Sequence, residues 1–119
     1  MAKILVVDDS QTQVQSITKI LQNNGHETIV AEDGDSAVTV ARTELPDLIL
    51  MDVVMPGLNG FQATRHITKT EATQHIPVVM LSSKDQETDK VWAERQGASG
   101  YIIKPATEKD LLDAINNLL

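Results

Sequence analysis

Short apolar runs alternate with amphipathic stretches along the whole chain. KILVV, ETIVA, LILM, VVML and GYII are strand-length rather than helix-length segments. They predict strands at about 3–7, 27–31, 47–51, 77–81 and 100–103. ILVV, LILM and VVML are uninterrupted apolar runs, as expected of strands covered on both faces of a parallel sheet, whereas ETIVA is mixed and fits an edge. Helical spacing appears between the runs. Val14, Ile17, Ile20 and Leu21 share one face of a first helix that Ser10 or Asp9 could cap and Gly25 could end. Thr107 followed at the third position by Asp110 resembles a capping box, ahead of a stripe made by Leu111, Leu112, Ile115, Leu118 and Leu119.

Strands alternating with helices predict an α/β fold, five strands and five helices. Right-handed crossovers leave few ways to wind such a chain, and the common small solution is a doubly wound parallel sheet in the order 2-1-3-4-5. Its switch point lies between strands 1 and 3, where ligands bind beyond the carboxyl ends of the strands. Asp8 and Asp9 follow the first strand and Asp52 the third, while Ser82 tops the fourth and Lys104 closes the fifth. All five side chains should therefore meet at one site.

Composition narrows the setting. A length of 119 residues fits a single domain over 1–119, with enough chain for one core. There is no cysteine, which excludes disulfides, a thiolate nucleophile and a Cys-based zinc site. The opening MAKILVVDDS has too short an apolar run for a secretory leader or a membrane span, so a soluble cytoplasmic protein without membrane insertion is expected. Seventeen acidic against ten basic residues give a net charge of −7, which disfavours nucleic acid and anionic membrane surfaces as partners.

Three clustered carboxylates repel one another unless a cation sits among them. An oxygen-only donor set favours Mg²⁺, which binds through one or two carboxylates, keeps several waters and commonly shares its shell with a phosphoryl oxygen. A carboxylate in that position can act as a nucleophile toward phosphorus, with the metal and a lysine offsetting charge and a serine hydroxyl binding one phosphoryl oxygen. The parts match phosphoryl transfer to a carboxylate.

VVDDS, LILMDVVMPGLNG, VVMLSS and GYIIKP, in that order and spacing, resemble the receiver domains of bacterial response regulators (the CheY-like, flavodoxin-like fold). The resemblance covers essentially the whole chain. It implies that Asp52 is the phosphoacceptor, Asp9 a direct metal ligand, Asp8 an acidic neighbour acting mainly through water, and the Val54 main-chain carbonyl a third ligand. It also implies that Lys104 pairs with the phosphoryl group, that Ser82 and Tyr101 form the switch, and that the Lys104-Pro105 bond is cis. Val54 and Lys84 occupy positions that flank the attacking water in that family, and Ser82 stands where threonine is more frequent. The strings MPGLNGFQATRHITK and SKDQETDKVWAERQGA further resemble a stand-alone receiver of the chemosensory system controlling type IV pilus twitching motility.

The resemblance implies a phosphoacceptor rather than an enzyme acting on external substrates. Its partners would be the histidine kinase of a chemosensory array and a pilus-motor or other regulatory protein, reached through the surface of helix 4, strand 5 and helix 5. The expected state is a monomer or a weak dimer. With no DNA-binding segment in the sequence, the expected output is protein contact or removal of phosphate from a shared kinase. Three other classes compete. A haloacid-dehalogenase-like phosphatase normally carries a second Asp two residues after the nucleophile, where this chain has Val54. A flavin or nucleotide site would need a Gly-rich phosphate loop, which the first turn lacks. A phosphorylation-independent adaptor would leave Asp52 unmodified.

Taken singly, these residues have plainer readings. Paired Asp after a strand often only caps a helix. An isolated lysine is usually solvated, Ser82 could cap helix 4, and Tyr101 could be an ordinary half-buried strand residue. His26, His66 and His75 have no metal-site spacing and read as surface residues. Met51 and Met55 read as packing, and Pro56, Gly57 and Gly60 as shaping the loop after strand 3. Trp92, beside Val91 on helix 4, could pack inward or dock a partner.

Overall fold

In the computed structural model, which describes residues 2–55 and 57–119, five strands alternate with five helices. The strands are β1 (Lys3–Val7), β2 (Glu27–Ala31), β3 (Leu48–Asp52), β4 (Val78–Ser82) and β5 (Gly100–Ile103). The helices are α1 (Gln11–Asn23), α2 (Gly34–Glu44), α3 (Gly60–Lys69), α4 (Glu87–Arg95) and α5 (Glu108–Leu118). All strand pairs are parallel and the order is β2-β1-β3-β4-β5, as the pattern predicts. ETIVA does form an edge, with β5 at the other.

The two-residue period of the strands divides the core into two layers. Leu5, Val7, Ile49, Met51, Val78 and Met80 point to one face, where Ala37, Ala41, Ala63, Ile67 and Ala93 bring α2, α3 and α4 against the sheet. Ile4, Val6, Leu48, Leu50, Val79 and Leu81 point to the other, covered by Ile17 and Leu21 of α1 and Leu111 and Ile115 of α5. This is why the central runs are apolar throughout: each strand residue faces one helix layer or the other. Burial of each large aliphatic side chain contributes roughly 1.5–3 kcal/mol. Truncating the fully buried Leu21 to alanine would cost about 2–5 kcal/mol and loosen α1 from the sheet.

Local signals set the helix ends near the site. Ser10, rather than the exposed Asp9, is the N-cap of α1, its hydroxyl accepting from the Gln13 amide at 3.4 Å. The helix stops at Asn24, and Gly25 turns the chain with φ +84°, a left-handed conformation that glycine adopts readily. Thr107 and Asp110 form the expected reciprocal capping box of α5.

Two details differ from the sequence pattern. Strands β3 and β4 lie one residue further along, ending on Asp52 and Ser82 instead of before them. Their ladders continue through Asp52 opposite Leu81 and Ser82 opposite Ile103, because backbone pairing extends past the last apolar side chain. Leu119, expected in the apolar stripe of α5, is 57% exposed, since it lies beyond the helix end and reaches no facing layer. Pro56 lies outside the described residues, while Met51 and Met55 are packed in the core. Among the described residues, no helix is long and apolar enough to cross a membrane.

Candidate functional site

The carboxyl ends of β1, β3, β4 and β5 bring Asp8, Asp52, Ser82 and Lys104 to one rim of the sheet. Asp8 extends the β1 ladder by one residue, its amide donating to the Ala31 carbonyl at 3.2 Å. The chain then turns into α1, and one Asp8 carboxylate oxygen accepts from the Ser10 amide at 2.9 Å. That bond orients a side chain only 2% exposed. Asp9, one residue on, stands exposed at the mouth of the site.

Asp52 is 6% exposed, and its main chain lies against the first residue of α3. A Cβ at Gly60 would fall 2.1 Å from the Asp52 carbonyl oxygen, so glycine is required by the close approach of two backbones. The loop after Asp52 closes through the Gly60 amide, which donates to the Val53 carbonyl at 2.9 Å. Gly57 adopts φ +72° within that loop.

Lys104 reaches the carboxylates from the opposite side. Its main-chain amide donates to the Ser82 carbonyl at 2.8 Å, and the peptide bond to Pro105 is cis. Its ammonium nitrogen Nζ donates to Asp52 Oδ1 at 2.7 Å and to Asp8 Oδ2 at 3.2 Å. A third donation goes to Gln13 Oε1 on α1.

This network shifts both partners. Burial pushes the Asp52 carboxyl above its ordinary pKa; the Lys104 hydrogen bond pulls it back, and the negative charge of Asp8 adds to the rise. Burial pulls the Lys104 ammonium down, but the hydrogen bond and charge of Asp52, with those of Asp8, outweigh it and leave the lysine above its ordinary value. Among the described residues, no buried side-chain nitrogen or oxygen lacks a hydrogen-bond partner.

Asp8, Asp9 and Asp52 each bring a carboxylate oxygen within 4.8 Å of the others. Hard oxygen donors at this separation fit Mg²⁺ in kind. One lysine opposes three acids here, so the cluster retains negative charge to offer a cation.

Ser82 and Tyr101, which the family resemblance implies form a switch, are linked through one residue of the loop after β4. Ser82 is 3% exposed, and its Oγ accepts from the Lys84 amide at 3.1 Å. The Lys84 carbonyl accepts from the Tyr101 hydroxyl at 2.9 Å, while the Tyr101 ring packs against the core layer under α4. Val54, in the loop after β3, is strongly exposed.

A cleft of about 490 Å³ opens over Asp52 between α1 and the loop after β5. Val54, Ser82 and Lys104 line it, and so do Gln13 and Ala106, which the sequence pattern does not single out. Gln13 is one of several polar residues on an exposed helix surface, and residue type alone carries no sign that it reaches Lys104. The histidines stay apart from the site: His26 Nδ1 accepts from the Ala2 amide at 3.2 Å, and His66 and His75 are exposed. Trp92 is 50% exposed beside the exposed Val91.

Known proteins resemble this chain in sequence and in fold. The model of the response regulator receiver domain matches residues 4–116. Protein PilH of Pseudomonas aeruginosa is 55% identical over 119 residues, covering 100% of this chain and 98% of PilH. The phosphate regulon transcriptional regulatory protein PhoB of Escherichia coli is 38% identical over 117 residues, 98% of this chain but 51% of PhoB. Among solved structures, chemotaxis protein CheY4 of Vibrio cholerae superposes with a TM-score of 0.94 at 32% identity, covering 100% of this chain and 99% of that one. The receiver domain of a sensor histidine kinase from Pseudomonas aeruginosa, solved with a magnesium ion coordinated in its active site cleft, has a TM-score of 0.91 at 28% identity, covering 98% of this chain and 96% of that one.

Proposed function

The chain belongs to the response regulator receiver family, and we propose that it takes a phosphoryl group from a histidine kinase onto Asp52 and thereby changes its affinity for another protein. The observation carrying this reading is Lys104, whose ammonium spans Asp52 and Asp8 at the floor of an open cleft. Lys104 engages one carboxylate oxygen of Asp52, leaving the other to bond to phosphorus as the phosphorus–nitrogen bond of a phosphohistidine breaks. The electron pair of the broken bond leaves with the imidazole. Lys104 then donates to a phosphoryl oxygen. Ser82 Oγ accepts from Lys84 and keeps its own proton to donate to a second phosphoryl oxygen.

Asp9, Asp52 and the Val54 carbonyl are the proposed direct ligands of Mg²⁺, with Asp8 acting mainly through water. Mg²⁺ held there would supply positive charge against the transferring phosphoryl group.

The output is a population shift. Movement of Ser82 toward the phosphoryl group pulls on Lys84, whose carbonyl holds Tyr101, so the change passes to the surface formed by α4, β5 and α5. Moving a two-state equilibrium from 1:99 to 99:1 takes about 5.5 kcal/mol of differential stabilisation, and smaller shifts still signal. Full-length similarity to PilH supports placing this receiver in the chemosensory control of type IV pilus twitching motility, in the cytoplasm, as one receiver domain over residues 1–119.

The test is intact mass after incubation with acetyl phosphate and Mg²⁺. The expected result is a gain of one phosphoryl group in the wild type and none in Asp52→Asn or with metal removed. A gain that survives in Asp52→Asn, or no gain in the wild type, overturns the proposal.

A further inference from the structure

We propose that Gln13 is a positioning residue that holds the Lys104 ammonium over Asp52 during phosphoryl transfer. This rests on the reading of Asp52 as the phosphoacceptor. A lysine ammonium has three N–H donors and no acceptor, and here three side chains take them: Asp52, Asp8 and Gln13. Two of the three are carboxylates of the reacting cluster, whose charges and contacts change when a phosphoryl group arrives. Gln13 alone is neutral, and its own charge does not change when the phosphoryl group arrives.

The position of Gln13 is set by the start of α1. It lies three residues after the cap Ser10, its amide donating to the Ser10 hydroxyl, and this first helical turn overlooks the same cleft as Asp52, Ser82 and Lys104. The carboxamide is therefore carried on a capped helix rather than a loop. Lys104, by contrast, projects its charge on a flexible four-carbon stem. Without Gln13, only the acids restrain that stem, and once Asp52 carries the phosphoryl group as an acyl phosphate the charge of Asp8 draws the ammonium aside. With Gln13 present, the donor that leaves Asp52 finds the phosphoryl oxygen from an anchored nitrogen.

Gln13 is exposed, so replacing it should leave the fold intact. The experiment times phosphoryl gain by intact mass, with acetyl phosphate and Mg²⁺, in the wild type, Gln13→Met, Lys104→Met and the double variant. Gln13→Met should slow the wild type about threefold to tenfold, the scale of one partly exposed hydrogen bond to a charged group. In the Lys104→Met background the same change should alter the rate less than about 1.5-fold, since the partner it positions is gone. Gln13→Ala provides a second loss variant, and a higher acetyl phosphate concentration, the same for all proteins, brings the Lys104→Met variant into a measurable range if it reacts slowly.

Equal rates in Gln13→Met and wild type overturn the inference. Equal slowing in both lysine backgrounds also overturns it, because a general loosening of α1 would act without Lys104. If the wild type takes up no phosphoryl group, the phosphoacceptor reading falls and this inference falls with it. Uptake that is indifferent to Gln13 removes only the inference.

Discussion

The hydroxyl of Tyr101 donates to the main-chain carbonyl of Lys84 at 2.9 Å. The strand-borne tyrosine is thereby tied to the loop after β4, whose Lys84 amide in turn holds Ser82 Oγ. The linking groups belong to the backbone, so the side chain of Lys84 can change while the connection remains.

Tyr101→Phe isolates this tie. The ring stays packed against the core, and only the hydroxyl is lost. Stability should fall by about 0.5–1.5 kcal/mol, the usual contribution of one hydrogen bond. Under the proposed mechanism, phosphorylation should proceed at close to the wild-type rate while the affinity difference between phosphorylated and unphosphorylated forms for a partner shrinks. Chemical denaturation measures the first quantity and titration of both forms the second; an unchanged affinity difference would remove Tyr101 from the signalling route.

Asp52→Asn should raise stability at neutral pH by about 1–2 kcal/mol, because it removes one acid from a buried cluster while keeping an oxygen that can accept from Lys104. The pH dependence has a definite sign. Burial holds the folded-state pKa of Asp52 above its ordinary value, so between the two values the folded chain binds the proton more firmly than the unfolded chain. Wild-type stability from this group is thus greatest below the ordinary aspartate range and is lost as pH rises through the raised folded value. The advantage of the Asn variant should grow across that window and level off above it. Denaturant melts of both proteins at several pH values check this, and a gap that narrows with rising pH would contradict it.

The legibility of the fold and the site in the chain differs from residue to residue. ILVV, LILM and VVML announce strands buried on both faces, and the order of the sheet comes from parallel winding, so the meeting of Asp8, Asp52, Ser82 and Lys104 is legible in the sequence. The strand ends are not, because the polar Asp52 and Ser82 still pair through their backbones. Gln13 is silent for a different reason. A glutamine on an exposed helix turn is common, and only the approach of a residue 91 positions away reveals its partner. The Lys84 link leaves no trace in the sequence because it is made by peptide groups, which every residue possesses.

Mg²⁺ should stabilise the fold if Asp8, Asp9 and Asp52 hold it as proposed. At a concentration one hundred times the dissociation constant, a ligand specific for the folded state adds about 2.7 kcal/mol. For a chain of this size that raises the melting temperature by roughly 10 °C. Asp9→Ala should remove most of the increase while leaving the metal-free melt nearly unchanged, since Asp9 is exposed. Melting curves with and without Mg²⁺ decide the matter, and an equal rise in both proteins would exclude Asp9 as a ligand.

Gly60→Ala probes how the fold holds Asp52 in place. The added Cβ would fall 2.1 Å from the Asp52 carbonyl oxygen and 2.8 Å from the Val53 Cα, and neither backbone atom can yield as a flexible side-chain end could. The helix must back away, breaking the Gly60 amide bond to the Val53 carbonyl and losing contacts of Ala63 and Ile67 with the sheet. The combined cost should be about 3 kcal/mol or more, from overpacking together with the lost bond and contacts. Because the strain falls on the residue that carries the carboxylate, phosphoryl uptake should drop further than the loss of folded protein explains. Gly57→Ala is the informative comparison: its strain comes from a φ of +72°, and its Cβ would meet only the end of the Asp35 side chain at 3.9 Å. It should cost about 1 kcal/mol and leave Asp52 in place. Urea melts paired with phosphoryl uptake per folded molecule separate the two; equal uptake in the two variants would show that the close approach at Gly60 serves stability alone.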